Sequence, residues 1–160
     1  MSKTRMSADE LDANLTWSVV RVARLVGQRL TDRLAEHGLN PVQFGVLAHL
    51  AVEEEMTQAD LARSVLVRPQ SIAPLLDGLQ QRGLIERTGD RARGRRNPVR
   101  LTEDGSRALD AVRGIALGAN DLSDIGLSAE GSADLNRLLL QVIHATDGAR
   151  PQDGDQLWTP

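Results

Sequence analysis

Apolar residues recur at three- and four-residue steps along most of this chain, and the rhythm changes only past its middle. The first line is Leu11, Leu15, Val19, Val22, Val26 and Leu30, widened by Val20, Ala23, Leu25 and Leu34. Such spacing predicts an amphipathic helix, and a stripe this wide suits one gripped from both sides. Ser7 and Glu10 form a capping box and Gly38 a stop, so one long helix is expected from Ser7 to about His37. Asn40 caps a second helix, with Pro41 in its first turn and Val42, Phe44, Val46, Leu47 and Leu50 as its core face. Glu53-Glu54-Glu55 reads as a solvated turn. Thr57 then caps a short helix whose buried stripe is Leu61, Ala62 and Val65. Ile72, Leu75, Leu76 and Leu79 predict another helix, stopped by Gly83. Here the rhythm shortens: Leu84–Arg87 and Pro98–Leu101 read as the two strands of a hairpin. Thr102 caps a further helix, with Glu103 and Asp104 in its positive first turn and Leu109, Val112, Ile115, Ala116 and Ala119 on one side. Gly114, Gly118 and Gly126 weaken it and predict a bend or fraying near 120–126. Ser128 caps a last helix carrying Leu135, Leu138, Leu139, Val142 and Ile143. From Gly148 the chain is polar and rich in Gly and Pro, so disorder is expected there, Trp158 being the one residue able to dock.

Helix, turn, helix and hairpin between Thr57 and Thr102 outline a winged helix-turn-helix. The expected fold class is therefore mainly α, with a small β-hairpin wing. At 160 residues the chain should form one domain. Its net charge of −3, from 19 basic and 22 acidic side chains, argues by itself against a nucleic-acid binder. The distribution reverses that argument. Residues 57–101 hold Arg63, Arg68, Arg82, Arg87, Arg91, Arg93, Arg95, Arg96 and Arg100 against only Asp60, Asp77, Glu86 and Asp90, a local charge of +5 on a scaffold of −8. Local potential, screened over about 8 Å at physiological salt, governs a phosphate contact. There is no cysteine, which excludes disulfides, thiolate metal sites and thiol switches. His37, His49 and His144 lack metal-ligand spacing, and no metal or cofactor is expected. No nucleophile–base pattern, phosphate-cradling glycine loop or HExxH motif points to an enzyme. The chain shows neither a signal-type apolar core nor a run approaching the ~20 apolar residues of a membrane span, so a cytoplasmic protein without membrane contact is expected.

Four segments carry a family resemblance through their order and spacing. They are Leu39-Asn40-Pro41-Val42-Gln43-Phe44-Gly45-Val46-Leu47, Thr57-Gln58-Ala59-Asp60-Leu61-Ala62, Leu79-Gln80-Gln81-Arg82-Gly83-Leu84-Ile85-Glu86-Arg87 and Val99-Arg100-Leu101-Thr102-Glu103-Asp104-Gly105. Over residues 10–146 the chain resembles the MarR family of winged helix-turn-helix transcription regulators. The resemblance implies a homodimeric, ligand-responsive repressor of a pseudo-palindromic operator, with two winged modules in successive major grooves of double-stranded DNA. It divides the chain into an N-terminal dimerisation helix (1–38), a DNA-binding module (39–102), C-terminal dimerisation helices (103–147) and a flexible tail (148–160). The wing departs from the family pattern Asp-x-Arg-Asp-x-Arg. Asp90 and Arg95 fit, but Ala92 stands for an arginine and Arg93 for the second acid. A more positive, less rigid wing is expected.

The chemistry assigns roles within the module. Arg68 and Gln70, at the start of the recognition helix, are the expected base readers: arginine pairs bidentately with guanine and glutamine with adenine. For Arg68 a phosphate contact is an equal alternative. Ser71 can donate to a base or phosphate, and Pro69 and Ala73 can touch thymine methyls. Thr57 and Gln58 can hold phosphate at the start of the preceding helix. Arg91, Arg93, Arg95 and Arg96 suit a narrow, negative minor groove. Arg63, Arg82 and Arg100 are weaker candidates, and Arg87 is expected to pair with an acid. Pro74, inside the recognition helix, removes the amide that would bond Gln70 and is expected to tighten or kink the first turns. Regulators of this kind often take a small aromatic or amphipathic effector between the dimer helices and the winged module. Position suggests Trp17, Arg21, Phe44, Leu47 and His49 for such a pocket, although Trp17 fits a dimer core better. The rival reading is a winged-helix protein-interaction module that never touches DNA, which leaves the arginine wing without a purpose.

Overall fold

The computed structural model describes residues 5–88 and 98–147. Expectations for the wing residues 89–97 and the tail 148–160 lie outside the described residues.

The long first helix is two helices. α1 (Ala8–Asp12) starts at the expected capping box: the Ser7 hydroxyl accepts from the Glu10 amide at 3.1 Å and Glu10 Oε2 accepts from the Ser7 amide at 2.7 Å. The helix then stops, and Asn14, extended at φ −81° and ψ 98°, opens α2 (Leu15–Ala35) by accepting from the Trp17 amide at 2.9 Å. An asparagine side chain offers that amide the partner a continuous helix would have supplied, so the helix restarts there. At the far end Gly38 takes φ 67°, and the Leu39 amide returns to the Leu34 carbonyl at 3.2 Å. Asn40 then builds a capping box with Gln43 for α3 (Pro41–Glu53).

The acidic turn holds a strand that the hydrophobic pattern does not reveal. Glu54, at φ 54°, ends α3, and β1 (Glu55–Met56) pairs antiparallel with β3 (Val99–Leu101). With β2 (Ile85–Arg87) on the other side, the expected hairpin becomes a three-stranded sheet in the order β1-β3-β2. Arg100 of β3 lies opposite both Glu55 and Glu86 in register. Between β1 and β2 run α4 (Gln58–Ser64) and α5 (Pro69–Gln81). Gly83, at φ 72°, makes the turn from α5 into the sheet.

Thr102 starts α6 (Glu103–Gly118) and ties it to that turn. Its hydroxyl accepts from the Gly105 amide at 3.0 Å and donates to the Gly83 carbonyl at 2.6 Å, while its amide donates to the Leu84 carbonyl at 3.2 Å. Gly114 does not break α6; the expected bend comes after Gly118, through a single 3-10 turn (Ser123–Ile125) and Gly126 at φ 91°. Arg29 of α2 pins this turn through Asp124 at 2.6 Å. α7 (Ala129–Asp147) follows, its first turn capped by Ser128.

One core unites the centre of the chain. Leu47, Leu50, Leu61, Ile72, Leu76, Leu79, Ile85 and Val99 are closed from solvent, with Leu34 of α2 and Val112 of α6 joining them. Beyond these the terminal helices are bare. The line expected to be buried on the first helix is largely exposed: Leu11, Leu15, Val19, Val22 and Leu25 face solvent, Leu15 at 76%, while Val26 and Leu30 are half-buried. Leu138, Leu139, Leu140, Val142 and Ile143 of α7 are exposed as well, and α7 has no substantial packing against the described elements of its own chain. Among the described residues no helix is long and apolar enough to cross a membrane.

Candidate nucleic-acid interface

Thr57 holds α4 in place. Its hydroxyl accepts from the Asp60 amide at 3.1 Å and donates to Asp60 Oδ2 at 2.5 Å, and Asp60 also pairs with Arg63. The Thr57 side chain is thus engaged in capping, leaving the backbone amides at Thr57 and Gln58 as the groups able to meet an anion. The turn out of α4 needs a left-handed residue. Leu66 takes that conformation at φ 55°, where glycine is usual, and the Val67 amide closes the turn on the Ala62 carbonyl at 3.0 Å.

That turn delivers α5 with its apolar face inward. Ile72, Leu76 and Leu79 are fully buried and Leu75 packs against them. The opposite end of the helix stays open. Arg68 is the N-cap residue but makes no side-chain capping bond, and Arg68, Pro69, Gln70 and Ser71 are exposed in succession. Ala73 is half-buried and Pro74 exposed. The helix runs unbroken through Pro74 from Pro69 to Gln81, so the expected kink is not a break. Four of the five candidates on this element therefore share one exposed end.

The other arginines of the module sort by partner. Arg63 pairs with Asp60, Arg100 with Glu86 at 2.5 Å, and Arg82 donates to the Gly38 carbonyl at 2.8 Å. Arg87 pairs with Asp77 at 2.8 Å, as expected, and also reaches Gln80. Arg68 alone of the described five has no ion pair or side-chain hydrogen bond among the described residues. Arg91, Arg93, Arg95 and Arg96 fall in 89–97, outside them. Sequence reasoning missed Glu55 and Thr88, which meet at 3.3 Å beside the base of the wing. The only signal was the polar run before Thr57, which carries no strand periodicity.

The proposed effector residues are divided between two helices. Trp17 and Arg21 stand on the exposed first half of α2, Arg21 within 3.9 Å of Asp12. Phe44, Leu47 and His49 stand on α3, where Phe44 and His49 are half-buried and Leu47 has no exposed surface. A shallow cleft opens elsewhere, lined by Arg33 and Glu36 of α2 and Ile115 and Gly118 of α6.

The profile of the MarR family matches residues 37–96, the stretch from the end of α2 through the helix-turn-helix into the wing. Over that stretch the chain resembles the MarR family. Among its relatives, the transcriptional repressor NicR of Pseudomonas putida is 28% identical over 154 residues, covering 92% of this chain and 98% of NicR. The structure is similar to that of the transcriptional repressor CouR bound to a 23-mer DNA duplex, with a TM-score of 0.74 at 23% identity over 88% of this chain and 99% of that one. It is also similar to the Mycobacterium tuberculosis MarR family protein Rv2887 in complex with salicylic acid. There the TM-score is 0.66 at 25% identity, over 82% of this chain and 97% of the other.

Proposed function

We propose that this chain is a sequence-specific DNA-binding transcription regulator, a repressor released by a small ligand, acting in the cytoplasm as a homodimer on a pseudo-palindromic operator. One observation carries the reading: the first turn of α5 is exposed through Arg68, Pro69, Gln70 and Ser71, and the Arg68 guanidinium is engaged with no other group among the described residues. A helix presented end-on by a closed core is the geometry with which helix-turn-helix proteins enter the major groove. Arg68 and Gln70 then read bases, Ser71 and the backbone at Thr57 and Gln58 meet phosphate, and Pro69 and Ala73 contact thymine methyls. Arg91, Arg93, Arg95 and Arg96 supply the wing's share in the minor groove. No step calls for catalysis.

Residues 39–102 form the DNA-binding module, and 1–38 with 103–147 assemble the dimer. The exposed leucines of α2 and α7 support that division, because an apolar face of this extent requires a partner. A small aromatic acid is the proposed effector class, supported by the salicylate complex of the mycobacterial relative. It would sit among Trp17, Arg21, Phe44, Leu47 and His49, with Leu47 uncovered only if the core opens.

Sequencing genomic fragments retained by the purified protein supplies the operator and tests the reading. On that operator Gln70→Ala should cost about 1–3 kcal/mol and relax base choice at one position per half-site, with little change on random DNA. Arg93→Ala and Arg95→Ala should weaken both kinds of binding. For every phosphate no longer neutralised, the slope of log K against log salt should flatten by about 0.9. Retention of no fragment would favour the protein-interaction reading.

A further inference from the structure

Arg87 ends β2, and the segment carrying the wing arginines follows it directly in the chain. Its guanidinium turns back onto the recognition helix. Nη2 donates to Asp77 Oδ1 at 2.8 Å and Nη1 donates to Gln80 Oε1 at 2.5 Å, two acceptors three residues apart on α5. The Arg87 side chain is 14% exposed, the lowest of any ion-pair partner among the described residues, whereas Asp77 is 56% exposed. An isolated pair this close to solvent contributes little to stability. Two bonds from one planar fork to separate acceptors do something a point charge cannot: they fix an angle as well as a distance. The angle fixed here is that between the β2–β3 ribbon and α5.

We infer that Arg87 is a positioning residue for DNA recognition, its paired bonds to Asp77 and Gln80 setting the ribbon's angle so that wing and recognition helix meet one operator in register. The inference rests on the DNA-binding reading above. The other clamps of the module do not duplicate it: Arg100 and Glu86 link strand to strand, and Arg82 links α5 to the turn at Gly38.

The test is a hydroxyl-radical footprint on the operator, read separately over the major-groove core and the minor-groove flanks. Arg87→Met keeps the apolar stem and removes both donors. It should lower affinity about tenfold, comparable with a single mismatched base pair in the site, and strip flank protection while the core stays protected. Its thermal midpoint at fixed concentration should remain within about 3 °C of wild type. Asp77→Ala, removing the more exposed acceptor, should give the same pattern and decides the matter if Arg87→Met does not fold. The exchange Asp77→Arg with Arg87→Asp should restore flank protection. The inference is overturned if affinity stays within twofold with flanks intact, if core and flanks weaken in proportion, or if the exchange restores nothing. A wild-type chain that protects no DNA overturns the regulator reading itself.

Discussion

Gly105 shows how little room one position can leave. A Cβ there would stand 2.0 Å from the Leu84 carbonyl oxygen and 2.8 Å from Leu101 Cδ1. The same Leu84 carbonyl accepts from the Thr102 amide, so backbone, not a flexible side chain, would have to move. Gly105→Ala should destabilise the fold by about 1–3 kcal/mol, toward the upper end because α6 would be levered off the sheet. Urea denaturation measures this, and a loss below about 0.5 kcal/mol would show that the helix yields freely. Arginine is the contrasting case at this scale. Four of the five described arginines of the module are held by Asp60, Gly38, Asp77 with Gln80, and Glu86, which leaves Arg68 open toward a ligand. Identical side chains are sorted by what stands within reach of each.

At the scale of elements, α5 carries a built-in cost. Pro74 supplies no amide for the Gln70 carbonyl, yet the helix continues because that carbonyl lies near the exposed N-terminal end, where water can serve it. Pro74→Ala should restore the bond and stabilise the protein by about 1–3 kcal/mol, read as a raised thermal midpoint. An unchanged or lowered midpoint would mean that the rigid proline φ is worth as much as the hydrogen bond. α7 poses the opposite problem: a good apolar face with almost nothing of its own chain against it. An isolated helix of this length is marginal in water, so its stability must come from packing.

For the whole molecule, the two exposed apolar faces on α2 and α7 would make folding and association one process in the proposed dimer. A dimer whose thermal midpoint rises with protein concentration is the expected behaviour, checked by calorimetry across a dilution series. Leu138→Asp with Leu139→Asp should abolish the dimer and much of the α7 helix signal in circular dichroism. Light scattering showing an intact dimer for that variant would move the interface off α7. A monomeric mass for the wild type at micromolar concentration would remove the operator geometry altogether.

What the sequence determined by itself was mostly local. The capping box at Ser7, caps at Asn40, Thr57, Thr102 and Ser128, and left-handed stops at Gly38 and Gly83 are short-range signals, and the helices obey them. The core face of α5 and the exposed turn holding Arg68 and Gln70 follow from one helical period. The break at Asn14 was equally local in cause, but the apolar stripe running across it masked the competing cap. Tertiary structure decided the rest. β1 has two residues and no periodicity of its own, and exists because β3 offers it an edge. Arg87 was legible as an ion-paired residue, but its grip on Asp77 and Gln80 depends on how β2 is laid against α5. The stripes on α2 and α7 were legible as apolar and not as exposed. Periodicity records that a face must be covered, while only the packed chain shows that its own core closes without them.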